Sequence, residues 1–149
     1  MGKHHYHSPV GWLEITGTDD AVTALHFIPR PKQAKSTSNK VIVQCCKELD
    51  EYFTRKRRQF DVKVCLQGTD FQNKIWKKLQ EIPYGKTISY AALAQAAGHP
   101  KACRAAGSAN GKNPVAIIVP CHRVIASNGK LGGFAYGLDV KKALLDLEK

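Results

Sequence analysis

The sequence predicts a two-part fold: a small α/β domain over residues 1–65, then a mainly helical domain with a helix-turn-helix over residues 66–149. Three observations carry that expectation. In the first half, stretches of apolar–polar alternation flank one stretch of helical periodicity. In the second half, two short helical segments meet at a tight, Gly-containing turn. Charge also separates the halves: residues 1–65 hold 11 basic and 7 acidic side chains, residues 66–149 hold 12 and 5, and Glu81 is the only acid from Phe71 to Gly137.

Taken in order, VGWLEITGT and AVTALHFI alternate around Asp19 and Asp20 as the strands of a hairpin would. A polar break, PRPKQAKSTSN, precedes KVIVQCCKELDEYF, where Ile42, Cys46, Leu49 and Phe53 fall at helical spacing. QFDVKVCL returns to strand-like alternation. Vicinal Cys45 and Cys46 read as core packing, and Arg55 to Arg58 as a solvated helix end. His4, His5 and His7 lack the spacing and the acidic or thiol partners of a metal site, so they read as surface or strand residues. Asp70 is placed to cap a helix with Phe71, Ile75, Trp76, Leu79 and Ile82 on one face, stopped by Pro83 and Gly85. Ser89 caps a second helix running through Ala97. After Gly98, His99 and Pro100, a third runs from about Lys101 to about Asn110. That third helix is nearly all Ala, Gly and Ser, with Arg104 its one long side chain. Such a surface suits shape-based contact in a narrow groove, with Arg104 able to enter the base stack, better than base-by-base readout. The apolar run VAIIV, ahead of Pro120, reads as a buried strand.

Composition bounds the class. The chain has 149 residues, 43% hydrophobic content and a net charge of +11, which favours a polyanionic partner, nucleic acid before membrane. No stretch approaches the roughly 20 apolar residues of a membrane span, and the first residues lack a signal-peptide core. Five cysteines, an odd number with no CxxC, fit a reducing compartment. The expectation is an intracellular, cytoplasmic protein with access to DNA.

PCHRV, residues 120–124, carries the chemistry. A free thiol has a pKa of about 8.5, so a nucleophilic Cys121 needs a base or nearby positive charge, and His122 and Arg123 offer both. Adjacent residues on an extended segment point apart, so a direct Cys121–His122 hydrogen bond requires a turn, which Pro120 favours, or a bridging water. The histidine in turn needs a carboxylate to orient it. Asp139, Asp146 and Glu148 all stand in the C-terminal segment, and spacing does not choose among them.

With those residues assembled, the sequence resembles the O6-alkylguanine-DNA alkyltransferases, or methylated-DNA-protein-cysteine methyltransferases. Their active-site signature is matched by PCHRV, within KNPVAIIVPCHRV, where Lys112 replaces a usual Gly. The family's FQxxxWxxLxxIPYGxTxSYxxLA is matched by Phe71 to Ala94, and GxPKAxRAxGxAxGxNP by Gly98 to Pro114. SPVGWLEI resembles the family's N-terminal segment.

The resemblance implies an N-terminal RNase-H-like α/β domain and a C-terminal winged-helix-like domain. It also implies direct-reversal repair. The damaged nucleotide is flipped out of the duplex, and the Cys121 thiolate attacks the alkyl carbon on guanine O6 in line, taking the group irreversibly in a single turnover. O4-alkylthymine is a further substrate left open. By resemblance, His122 is the water-mediated base and Glu148 its carboxylate. Asn113 is a hinge beside the active site, and Tyr90 polarises the departing guanine. Arg104 is the finger filling the vacated stack, while Gln72, Tyr90, Ala91, His99 and Ser127 line DNA. The Val124 backbone reads the guanine amino group, Lys141 supports the site, and Tyr136 stands in the pocket where many members carry a small residue. Cys103 reads as packing. No cofactor and no metal are expected. The partner is double-stranded DNA containing O6-alkylguanine, with no membrane, and the protein is a monomer in solution whose cooperative assembly on DNA is left open.

Three other readings compete. A catalytically silent lesion-binding relative would lack the cysteine. A helix-turn-helix regulator would read base sequence. A Cys-His hydrolase would need an oxyanion hole and would turn over.

Overall fold

The computed structural model describes residues 2–149 and divides into two compact units, one running to Leu66 and taking in Pro114–Ala116, the other formed by Gln67–Asn113 and Ile117–Lys149. In the first unit, β1 (Gly2–Ser8), β2 (Gly11–Gly17) and β3 (Val22–Ile28) form an antiparallel meander in that order. β1 holds His4, His5 and His7, the last stacked on Trp12 at 4.5 Å between ring centroids. Between β2 and β3, the Thr18 hydroxyl accepts from the Asp20 and Ala21 N–H groups, a side-chain turn that closes the hairpin. Leu13 and Ile15 are buried two residues apart, as alternation requires, whereas in β3 the buried Val22 and Leu25 are three apart, the pairing with β2 shifting register at Thr16/Gly17.

α1 (Lys40–Phe53) begins at Asn39, whose side-chain oxygen accepts from the Ile42 N–H. Its buried face is Ile42, Cys45, Glu48, Leu49 and Tyr52, so Cys45 and Tyr52 replace the expected Cys46 and Phe53. The turn toward Tyr52 has a polar cause. Buried Glu48 accepts from the Asp61 and Val62 N–H groups at 2.8 and 3.0 Å and from Gln44 Nε2 at 2.8 Å. The same bonds divert backbone donors of the expected strand QFDVKVCL, which keeps only a single parallel bridge, Val64 to Val22. Arg57, expected to be solvated, instead pairs with Glu51 and Asp61, each at 3.1 Å.

In the second unit, α2 (Asp70–Gln80) packs against α3 (Tyr90–Ala96) and α4 (Cys103–Gly111). The cap of α2 is Thr69 rather than Asp70. Thr69 Oγ1 accepts from the Gln72 N–H, and Gln72 Oε1 accepts from the Thr69 N–H, a capping box one residue earlier than expected. Ser89 caps α3, its hydroxyl accepting from the Ala92 N–H. Small residues let α4 approach closely: Ala106 and Ala109 are buried, and Trp76 Nε1 donates to the Ala109 carbonyl at 2.9 Å. Two-residue strands β4 (Ile88–Ser89) and β5 (Val124–Ile125) pair in parallel, and α5 (Leu138–Leu147) closes the chain.

The run VAIIV is buried but is not a strand. Val115 makes one bridge, to Leu25, and the chain then turns with Ile117 at φ 70°. A β-branched residue in that region is strained. Among the described residues, no helix is long and apolar enough to cross a membrane.

Candidate active site

Pro120 leads into a single 3-10 turn, Cys121–Arg123, which settles how neighbouring side chains serve one site. The turn rotates Cys121 toward a cavity of about 300 Å³, lined by α3 and α4 through Tyr90, Gly107, Asn110 and Asn113 and by the loop Gly133–Tyr136. Cys121 is 4% exposed and lines that cavity.

Behind it, His122 is fully buried and its Nε2 lies 2.7 Å from Glu148 Oε2. Against a carboxylate acceptor Nε2 carries the proton, which leaves Nδ1 as the lone-pair nitrogen; Nδ1 has no hydrogen-bond partner. Glu148 caps the C-terminus of α5 and is shared. Arg123 Nε donates to Oε1 at 2.7 Å and Nη2 to Oε2 at 3.0 Å, while Nη1 donates to the Ile82 carbonyl at 2.8 Å. Burial pulls the His122 pKa below its ordinary value, and the adjoining Glu148 carboxylate opposes that pull.

Burial raises the Cys121 pKa; the Asn113 amide, hydrogen-bonded to the sulfur, and the Lys141 ammonium act against it. The cation that helps the thiolate is thus Lys141. Arg123, expected in that role from its position in the sequence, is bound to Glu148 instead. Lys141 is fully buried, with Nζ donating to the carbonyls of Val124 (2.7 Å), Leu131 (2.5 Å) and Gly133 (3.1 Å) and lying 3.4 Å from the Tyr90 hydroxyl. Burial lowers its pKa to about 8. The Tyr90 hydroxyl donates to the Gly133 carbonyl at 3.2 Å. Asn110 in the last turn of α4 and Asn113 just past its end clamp the reactive loop: Asn113 Nδ2 donates to the Val119 carbonyl at 2.7 Å, and Asn110 Nδ2 to the Cys121 carbonyl at 3.3 Å.

A buried thiol facing a cavity, with a base, a carboxylate and a cation behind it, is the equipment of nucleophilic group transfer. Two family models match the chain. The description "6-O-methylguanine DNA methyltransferase, ribonuclease-like domain" covers residues 1–66, and "6-O-methylguanine DNA methyltransferase, DNA binding domain" covers residues 70–149. The chain belongs to the 6-O-methylguanine DNA methyltransferase family.

Relatives of this methyltransferase chain span its length. The methylated-DNA--protein-cysteine methyltransferase of Methanosarcina acetivorans is 43% identical over 96% of this chain and 95% of its own. That of Methanosarcina mazei is 44% identical over 100% and 98%. The structure of Mycobacterium tuberculosis OGT in complex with DNA superposes with a TM-score of 0.89 at 43% identity, covering 99% of this chain and 92% of that one. The ribonuclease-like and DNA-binding halves of the methyltransferase family accord with the α/β and helix-turn-helix expectation for the fold.

Within the methyltransferase, Cys121, Asn113, Tyr90 and Tyr136 line one cavity, with His122 and Glu148 paired behind it. Val124 and Lys141, expected in the substrate pocket, do not line it; they are joined to each other by the Nζ–carbonyl bond. Arg104 and Ala91 are exposed on α4 and α3, His99 is exposed in the turn between them with its ring 5.2 Å from that of Phe71, and Ser127 is exposed after β5. The Gln72 side chain is engaged in the capping box. Cys103, read as packing, is exposed. No group of three or more His, Cys, Asp or Glu disposed to hold a metal occurs among the described residues.

Sequence reasoning missed Asn110 altogether. Its signal was an amide side chain in the last turn of a helix otherwise made mostly of small residues, three positions before Asn113.

Proposed function

We propose that the protein repairs O6-alkylguanine in double-stranded DNA by moving the alkyl group to Cys121. The observation that carries this reading is the Cys121 thiol facing a cavity of about 300 Å³ with His122 and Glu148 behind it. The names of the relatives and the DNA bound to the Mycobacterium tuberculosis structure support the substrate. The lesion is flipped out of the stack, at a cost of a few kcal/mol, and Arg104 on α4 fills the space. His122 Nδ1 takes the thiol proton through one water. Sulfur then attacks the alkyl carbon: an S–C bond forms, the C–O6 bond breaks with its electron pair going to O6, and the departing guanine takes up, through solvent, the proton that His122 removed from the thiol. Tyr90 polarises the base as it leaves, and Asn113 steadies the sulfur. Gln72, Ala91, His99 and Ser127 contact the duplex. The thioether is stable and no step regenerates the thiol, so each molecule acts once. O4-alkylthymine carries the same kind of alkoxy carbon and is a further candidate substrate. The protein acts as a monomer.

The test is intact-mass measurement after incubation with a duplex containing O6-methylguanine. One added methylene per chain, on the peptide holding Cys121, is expected, with none in Cys121→Ala. Multiple turnovers, or methylation at another cysteine, would sink the proposal.

A further inference from the structure

The cavity contains a polar atom that neither the fold nor the transfer step above uses. Asn110 is 4% exposed and is among the residues lining the cavity. Its Nδ2 donates to the Cys121 carbonyl, which fixes the orientation of the amide, and its Oδ1 is buried with no hydrogen-bond partner. Buried acceptors are rarely left so in a native fold, and one at a reaction cavity calls for a donor brought by the ligand or by water. The neighbouring polar side chains are already engaged. Tyr90 donates to the Gly133 carbonyl and lies within reach of Lys141 Nζ, and Asn113 Nδ2 donates to the Val119 carbonyl.

The chemistry of the lesion supplies the donor. Alkylation at O6 removes the proton from N1 of guanine, and the sugar occupies N9. The only N–H donors left on the base are those of the exocyclic 2-amino group. The Val124 carbonyl, which the family resemblance implies as a reader of that group, accepts from Lys141 at 2.7 Å and keeps one lone pair, so it can take one of the two amino hydrogens and leaves the other for a second acceptor.

We propose that Asn110 is a specificity-determining residue: its Oδ1 accepts a hydrogen bond from the 2-amino group of the flipped O6-alkylguanine while its Nδ2 holds the Cys121 carbonyl. The inference rests on the repair reading and deepens it. O4-alkylthymine has no N–H donor on its base, so the same acceptor discriminates against it, because a buried polar group left unpaired penalises the analogue that cannot satisfy it.

The experiment compares single-turnover rates of Cys121 methylation on duplexes carrying O6-methylguanine or O6-methylhypoxanthine, which differ only in the 2-amino group. Wild type is expected to favour the guanine lesion about tenfold, the worth of one hydrogen bond. Asn110→Leu also removes the bond to the Cys121 carbonyl and slows both substrates, but the guanine rate falls further than the hypoxanthine rate, so the ratio falls toward one. The ratio is taken within each variant, so a general loss of activity cancels. Asn110→Ala gives the same readout if the leucine variant does not fold. A ratio unchanged in the variants, or a wild type indifferent to the amino group, overturns the proposal while leaving the repair reading intact. Failure of wild type to methylate Cys121 from either duplex overturns both.

Discussion

Burial raises the Cys121 pKa, so the thiol is protonated at rest, and in the proposed transfer its proton has to leave. His122 is suited to take it because burial keeps the ring neutral at neutral pH. The base is competent above its lowered pKa and lost as pH falls through it. Single-turnover rates are expected to hold steady through neutral pH and to fall only below the ordinary histidine value of 6.5; a fall centred above that value points to a different base. Glu148→Gln removes the carboxylate that orients His122, and about 10²-fold in rate should go with it. Lys141 acts on stability. Its folded pKa of about 8 lies below the unfolded 10.5, so between those values the unfolded chain binds more protons and the Lys141 contribution to stability rises with pH. Below pH 8 the ammonium is charged in both states, and its burial weighs against folding. Urea unfolding from pH 7 to 10.5 should show that rise in wild type and lose it in Lys141→Met.

At the scale of elements, helices were legible where their boundaries are chemical. Ser89 could be named as a cap because a hydroxyl before an apolar helical segment has one good use. Thr69 was overlooked beside Asp70, since either side chain can cap and only the reciprocal bond with Gln72 decides. Thr69→Ala should cost about 1 kcal/mol of stability with the denaturant m-value unchanged, because no additional surface is exposed on unfolding. The strands were less legible. QFDVKVCL alternates like a strand, yet Glu48 takes the N–H groups of Asp61 and Val62. VAIIV is apolar like a strand, yet Asn113 ties Val119 into a turn. In both, one distant or near polar side chain outcompeted the ladder for backbone groups.

For the whole molecule, a net charge of +11 makes association with DNA a counterion-release process. The logarithm of the binding constant should fall linearly with the logarithm of salt concentration, as fluorescence anisotropy with an unmodified duplex would show. A flat dependence removes the electrostatic account. Arg104, exposed on α4, belongs to a different step in the proposed mechanism, since filling a vacated stack matters only where a base must be extruded. Arg104→Ala should slow transfer from duplex at least tenfold while leaving reaction with the free base O6-methylguanine unchanged.

By itself the sequence determined the helices of the second half, the sign of the charge and the family whose motifs surround PCHRV, and it singled out Cys121 as the candidate nucleophile, because each is written in residues close together along the chain. Only the tertiary structure decided that Lys141 rather than Arg123 is the cation acting on the sulfur, that Glu148 serves both His122 and Arg123, and that Asn110 carries an unused acceptor at the cavity. The physical reason is that charges and hydrogen bonds act over a few ångströms of space. The partners that matter here lie 20 positions away for Cys121 and Lys141 and 26 for His122 and Glu148, a separation that no local periodicity records.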